Sequence, residues 1–256
     1  DAQAAVDKGG SIDQVSARFL EPILKNSKNF DRVELGNGRT LITRKNGDRY
    51  ISVDEDGKVA LSDRVAADLS RAMGVTVPTT RLAGTGSRRS VVTDAPDRIT
   101  TESTLADVRP ADLARIALAD YLTGRRGRNP GSIALSADGD RLTPIPEVAS
   151  RANMVAAIVR KPEQFLVADG EGGWVASYVK EPSRQVRQSL VEMYDTMVER
   201  ASEFDWAAYL TRLGIDGDLS AADRAHLETV QRLFESRLNQ LRSSRKSVLR
   251  ILGGSA

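Results

Sequence analysis

The stretch "LADYLTGRRGRNPGSIALSADGDRLTPIPEV", Leu118–Val148, decides how the rest of the chain is read. Just before and within it, Leu113, Ile116, Ala117 and Tyr121 recur at helical spacing. They predict a helix from Pro110 to Leu122, with Pro110 in a first turn where its missing N–H costs nothing. A tight Arg/Gly/Asn/Pro loop follows. Two short apolar runs, Ser132–Leu135 and Arg141–Ile145, joined by Ala137-Asp138-Gly139-Asp140, then predict a hairpin. Helix, polar loop and hairpin in this order form the layout of a catalytic loop. The acids such a loop needs are missing, and Arg125, Arg126 and Arg128 surround Gly127 instead.

Working back toward the N-terminus, residues 11–27 read as a helix interrupted before Pro22. Arg32–Leu35, Arg39–Arg44 and Arg49–Val53 read as strands of an antiparallel meander, with Gly36-Asn37-Gly38 and Asn46-Gly47 as the turns. Ser62–Met73 reads as a helix capped by Ser62 and ended by Gly74. "GVTVPTTRLAG" and "RSVVTDAP" add two strands, and the "GTGSRR" turn between them reads as a flexible hairpin tip rather than a phosphate nest.

Toward the C-terminus, a helix is expected from Ala149 to about Val159, then a Gly-rich loop "ADGEGGW" near 168–174. Further helices are expected at 183–203, 206–213 and 221–252. In the last of these, Leu227, Val230, Phe234, Leu238, Leu241 and Leu249 form the apolar stripe, and Asp223, Arg224, Glu228, Arg232 and Glu235 are expected to face solvent. Strands with one helix, then a helical half carrying a hairpin, make an α+β plan in two lobes. The expected division is an N-terminal helical extension over 1–30, a sheet lobe over 31–105 and a helical lobe over 106–256, the hairpin region being 123–148.

Composition excludes several classes of function. Cysteine is absent from the 256 residues, so there are no disulfides, thiol nucleophiles or thiolate metal sites. The single histidine, His226, lies on a polar helix and is read as solvated surface rather than a base or ligand. The formal charge of +2 argues for neither nucleic acid nor membrane, and basic residues are too dispersed, and aromatics too few, for a stacking surface. A second basic group, Arg242, Arg245, Lys246 and Arg250, suits the end of a helix, where cations face the negative pole of the dipole. No run reaches the length of a membrane span and no signal-peptide pattern opens the chain, so an intracellular location, or a place in a larger particle, is expected. The chain opens on Asp1, as an excised or processed piece would. The Ala/Arg/Asp-rich composition suggests a phage or actinobacterial source.

The opening stretch is similar to the catalytic segment of the phosphatidylinositol 3-/4-kinase-like and HipA-like kinases, in which a helix of the type "FDYLIGN" leads into "DRHPGN", a strand, a turn and a strand "RLVPID". "LSDRVAADLSRAMGVTVPTTRL" resembles the same group's "E-x-x-A-x-x-L-x-x-x-L-G-V-x-V-P" segment. The resemblance covers roughly residues 30–150. It implies a bilobal protein-kinase-like fold, with an antiparallel-sheet N-lobe carrying one helix and a mainly helical C-lobe.

Taken position by position, the resemblance also implies a loss. The family's catalytic aspartate falls on Gly127, and its asparagine or histidine falls on Asn129. Its metal-binding asparagine falls on Ser132, and its second metal acid on Pro146, with Glu147 displaced by one. The phosphate-binding lysine falls on Val53 or Ser52, and the helix acid that pairs with it is represented only by Asp63. Phosphoryl transfer depends on positioning and charge neutralisation, so a chain changed at all these positions is expected to be a pseudokinase, without metal or cofactor. It would bind a protein partner, with Arg125, Arg126 and Arg128 as a surface that could hold a phosphate or an acidic partner. The alternative is an active phosphotransferase using ATP and Mg²⁺ through Asp63, Asn129 and Glu147. Asp138 or Asp140 could assist, with Lys45 or Lys58 as the cation. Glu147 would need a bulge to serve, because adjacent strand residues face opposite sides.

Overall fold

Asn46-Gly47 lets the chain reverse with Gly47 at φ 99°, and the Arg44 N–H donates to the Asp48 carbonyl at 2.8 Å to close the first tight hairpin. In the computed structural model that hairpin joins β2 (Arg39–Arg44) to β3 (Arg49–Asp56), with β1 (Phe30–Gly36) antiparallel to β2. The structure describes residues 6, 11–13, 15–26, 28–36, 38–95, 105–138, 141–146, 154–155, 160–169, 171–179, 182–217 and 219–253. With β4 (Thr80–Ala83) and β5 (Arg88–Asp94), the strands form an antiparallel five-stranded sheet in the order β1-β2-β3-β5-β4. The chain divides into two compact units. One comprises Asp1–Val65, Pro78–Ala95 and Asp205–Thr229, and the other Ala66–Val77, Pro96–Phe204 and Val230–Ala256.

In the sheet unit, α1 (Ala17–Asn26) packs against β4 and its Leu20, Ile23 and Leu24 enter a core with Phe30, Ile42, Tyr50 and Val92. The alternation of the strands sets this face, since Ile42 lies opposite Tyr50 in the register. α1 begins at Ala17 and runs through Pro22.

The helix expected from Ser62 begins five residues earlier, as α2 (Gly57–Ala72). Asp56, the last residue of β3, accepts the Lys58 N–H at 2.9 Å and so supplies the start signal that Ser62 was expected to give. Gly57 follows because the "GTGSRR" turn presses on it. A Cβ there would lie 2.2 Å from the Gly86 carbonyl oxygen, and the Gly57 N–H donates to the Ser87 carbonyl. The turn is thus held against the start of α2 while residues 85–88 stay exposed, and Arg89, which closes it, is 2% exposed. α6 (Trp206–Gly217) and the first residues of α7 (Ala221–Ser243) complete the unit.

Two expectations for this last segment fail for one reason: α7 is an inward-facing helix start. Asp223 was expected to face solvent, yet it is buried and takes both guanidinium nitrogens of Arg89, at 3.0 and 2.9 Å. It also forms a reciprocal cap with Ser220. His226, one turn on, is half-buried, with Nε2 3.0 Å from the Ser62 hydroxyl and a backbone hydrogen bond at Lys58. Burial, then the Lys58 charge, holds the imidazole below its ordinary pKa.

The second unit is mainly helical. α3 (Pro110–Thr123) packs on α5 (Arg184–Ser202), burying Leu113, Ile116 and Leu190. Tyr121 meets Phe165 of α4 (Pro162–Val167) edge to face at 5.6 Å and donates to the Gln240 side chain at 3.0 Å. The Tyr194 hydroxyl donates to the Leu241 carbonyl at 2.5 Å. Burial pushes both phenols up. The single C-terminal helix expected over 221–252 is divided at Ser244 into α7 and α8 (Arg245–Ile251). The helix expected from Ala149 to Val159 falls largely outside the described residues. Within it only Met154 and Val155 are described, in a turn.

Candidate functional site

The loop after α3 is positioned by the helix end. Gly124 adopts the left-handed conformation at φ 66°, and the N–H groups of Gly124 and Arg125 return to the Tyr121 and Asp120 carbonyls. Asp120, on the last turn, then holds Arg128 from across the loop. Arg128 Nη2 donates to Oδ1 at 2.9 Å and Nε to Oδ2, with both side chains buried. A charge-paired strut fixes the loop's two ends, a role that neither residue signals by local pattern, since they stand eight positions apart in sequence.

The degenerate positions follow this strut. Gly127 is exposed, at φ 74°, with no atom within 4 Å of a notional Cβ. Asn129 is exposed and starts a short 3₁₀ turn, Pro130–Ser132. The Ser132 hydroxyl donates to the Asn129 carbonyl at 2.8 Å and accepts the Asn129 N–H at 3.4 Å, so its donor capacity is spent inside the turn. β6 (Ile133–Asp138) pairs with β7 (Arg141–Pro146) in the register Ile133↔Pro146, Leu135↔Pro144. Pro146 is thereby buried opposite fully buried Ile133, an apolar setting for the position that carries a metal acid in the resembled family. Glu147 and Asp140 lie outside the described residues, and of Asp138 only the backbone is described. Among the described residues no three histidine, cysteine, aspartate or glutamate side chains are grouped to hold a metal ion.

The three arginines do not form the single surface expected of them. Arg125 and Arg128 are 4% and 3% exposed, drawn inward by the helix cap and by Asp120. Arg126 remains exposed and reaches Glu171, Nε to Oε1 3.7 Å. Glu171 comes from the Gly-rich loop, is buried, and takes Arg160 on its other oxygen at 3.3 Å. Arg237 of α7, also buried, donates to the Leu122 carbonyl at 3.4 Å. Glu171, Arg160 and Arg237 were missed by sequence reading. The only signal was the glycine run around Glu171, where Gly172 and Gly173 admit close approach of Phe165 and the Ala168 carbonyl.

Asp63, Ser52 and Val53 lie in the sheet unit, and Asn129, Ser132 and Pro146 in the helical one. Val53 is buried in β3 opposite Val91, an apolar pair where the family's strand would carry its lysine, and Ser52 is buried beside it. Asp63 is fully buried within α2. Lys58 is exposed on the first turn of α2, and Lys45 is exposed in the β2–β3 turn. No helix among the described residues is long and apolar enough to cross a membrane.

No family model and no curated protein matches the sequence. Solved structures do match the fold. A chain of the Shewanella oneidensis MR-1 toxin–antitoxin complex of HipA, HipB and operator DNA superposes with TM-score 0.53 at 12% identity, covering 97% of this chain and 76% of that one. The Helicobacter pylori proinflammatory kinase CtkA superposes with TM-score 0.52 at 11% identity, covering 86% of this chain and 96% of that one. At these identities the likeness is one of fold. The chain has a kinase-like α+β fold, with an antiparallel-sheet N-terminal region and a helical C-terminal region.

Proposed function

We propose that this kinase-like fold serves as a protein-binding or scaffolding module that does not transfer phosphoryl groups. One observation carries the reading: the two positions that the resemblance aligns with the family's metal ligands hold a hydroxyl and a proline in place of an amide and an acid. Ser132 spends its hydroxyl on the Asn129 backbone, and Pro146 is buried opposite Ile133. Loss of a single electrostatic stabiliser typically costs about 3–4 kcal/mol of transition-state stabilisation, and here the acid at Gly127 and the cation at Val53 or Ser52 are absent as well. The buried Asp120–Arg128 ion pair supports the second half of the proposal, because it ties the loop to the end of α3 from within the chain.

Nucleotide binding tests this directly. Thermal unfolding with millimolar ATP and Mg²⁺ is expected to show no metal-dependent rise in the midpoint, whereas a bound nucleotide at a hundredfold its Kd would add about 2.7 kcal/mol. A clear Mg²⁺-dependent rise would favour the phosphotransferase reading instead.

A further inference from the structure

The five-stranded sheet protects one of its edges and leaves the other open. β4, at one end of the strand order, is buried at all four residues, with α1 packed against it. β1, at the other end, is buried only at Phe30, and every residue from Asp31 to Gly36 is exposed. Val33 and Leu35 are 56% and 50% exposed there, and among the described residues no strand flanks β1 on its outer side. Such an edge offers main-chain donors and acceptors to any extended segment that reaches it. The charges on β1 restrict which segment that is, because Asp31, Arg32 and Glu34 carry both signs within four positions. The Arg32 fork is anchored on the Leu24 and Phe30 carbonyls, and the Thr40 hydroxyl donates to Glu34 at 3.0 Å, so both side chains have set places along the edge.

We propose that β1 pairs antiparallel with β1 of a second copy of this chain, about a two-fold axis through Val33, so that the sheet continues across both copies. A two-fold axis normal to the sheet keeps each residue on its own face, and directly opposed residues share a face. Only registers centred on a residue are therefore open. Centring on Val33, the midpoint of Phe30–Gly36, sets the two exposed valines against each other and sets Arg32 opposite Glu34 twice. Centring on Asp31, Arg32 or Glu34 sets like charges face to face, and centring on Leu35 leaves only Glu34 to Gly36 to pair. A strand that is its own charge complement in one register points to a second copy as its occupant. The bulge between Glu34 and Gly36 ends the regular ladder. The contact therefore falls short of the roughly 1,200–2,000 Å² of a stable interface, and the dimer is expected to dissociate on dilution. β1 belongs to the sheet unit, and its pairing is independent of what the loop after α3 binds.

The chain has no cysteine, so a single introduced thiol reports the register. Val33→Cys and Leu35→Cys, both at exposed positions, are made in the full chain and oxidised with copper phenanthroline over a series of protein concentrations. Opposed residues of an antiparallel pair have Cα atoms about 4.5–5.5 Å apart, within disulfide reach, whereas the two copies of residue 35 would stand about 14 Å apart. Val33→Cys is expected to form the disulfide-linked dimer about tenfold faster than Leu35→Cys, or more. Sedimentation equilibrium of the native chain is expected to show a monomer–dimer equilibrium. Glu34→Lys is expected to weaken that dimer about tenfold, because it sets a cation opposite Arg32 at both symmetric positions. Glu34 is exposed, so this variant is expected to keep its melting temperature in dilute solution. A native chain that stays monomeric at millimolar concentration overturns the proposal and leaves the edge to an extended segment of a different protein. Equal cross-linking through positions 33 and 35 overturns it too, as does a dimer that Glu34→Lys leaves undiminished.

Discussion

The Arg89–Asp223 pair offers a sharp test of the sheet unit, because sequence pattern and structure disagree about it. Asp223→Asn keeps the shape of the side chain and its ability to accept from Ser220, but removes the charge that balances a guanidinium whose side chain is 0% exposed. Breaking one side of a buried pair costs about 3–5 kcal/mol. For a chain of this size each kcal/mol corresponds to roughly 2–4 °C, so the midpoint is expected to fall by roughly 6–20 °C. The pH dependence follows in the same direction. Arg89 holds the Asp223 carboxylate down to about 2 from 3.8. A depressed carboxylate contributes stability that is fully present above its unfolded pKa and is lost as pH falls from 3.8 toward 2, here about 2 kcal/mol. Scanning calorimetry of the native chain, Asp223→Asn and the paired Arg89→Met/Asp223→Leu variant reads all of this. The paired variant is expected to recover most of the loss, since it removes both charges together. A fall of under about 2 °C for Asp223→Asn would refute the reasoning and return Asp223 to the solvent-facing role its polar helix pattern suggests.

Three further outcomes are expected. His226 is depressed by burial, so the unfolded chain binds the proton more tightly; stability is present above about pH 6.5 and declines as pH falls through that value toward the folded pKa. As His226 is the chain's single histidine, its ring signals report the titration without assignment, and His226→Gln is expected to flatten the midpoint-versus-pH curve between pH 7.5 and 5. Gly57→Ala is expected to cost more than about 2 kcal/mol, because its Cβ meets the backbone oxygen of Gly86 at 2.2 Å; urea denaturation reads the loss. Gly127→Asp, in open space at φ 74°, is expected to fold at a cost of about 1 kcal/mol, yet to leave ATP hydrolysis undetectable, since Ser132 and Pro146 remain.

Legibility followed the range of the interaction. The meander, the helix before the loop and the β6–β7 hairpin were readable because their signals are local: apolar periodicity, Asn46-Gly47, and Pro110 in a first helical turn. The start of α2 was misplaced because Ser62 imitates a cap, while the true stop and start at Asp56-Gly57 depends on a contact with Gly86, far along the chain. Polar residues on helices were read as solvated because sequence shows their chemistry but not their partners. Asp223, His226 and Arg237 are held by Arg89, Ser62 and Leu122, more than a hundred positions away. The arginine loop shows the same limit. Its charge was evident, but burial of Arg125 and Arg128, and the arrival of Glu171 and Arg160, are tertiary facts.

The central claim is that the kinase-like fold no longer moves phosphate, and turnover measures it most directly. The full chain is incubated with γ-labelled ATP and Mg²⁺ or Mn²⁺, and both released phosphate and label on the protein are counted. The account predicts counts equal to those of protein-free buffer for either metal. Saturable, metal-dependent release or self-labelling that disappears on Asn129→Ala would contradict it.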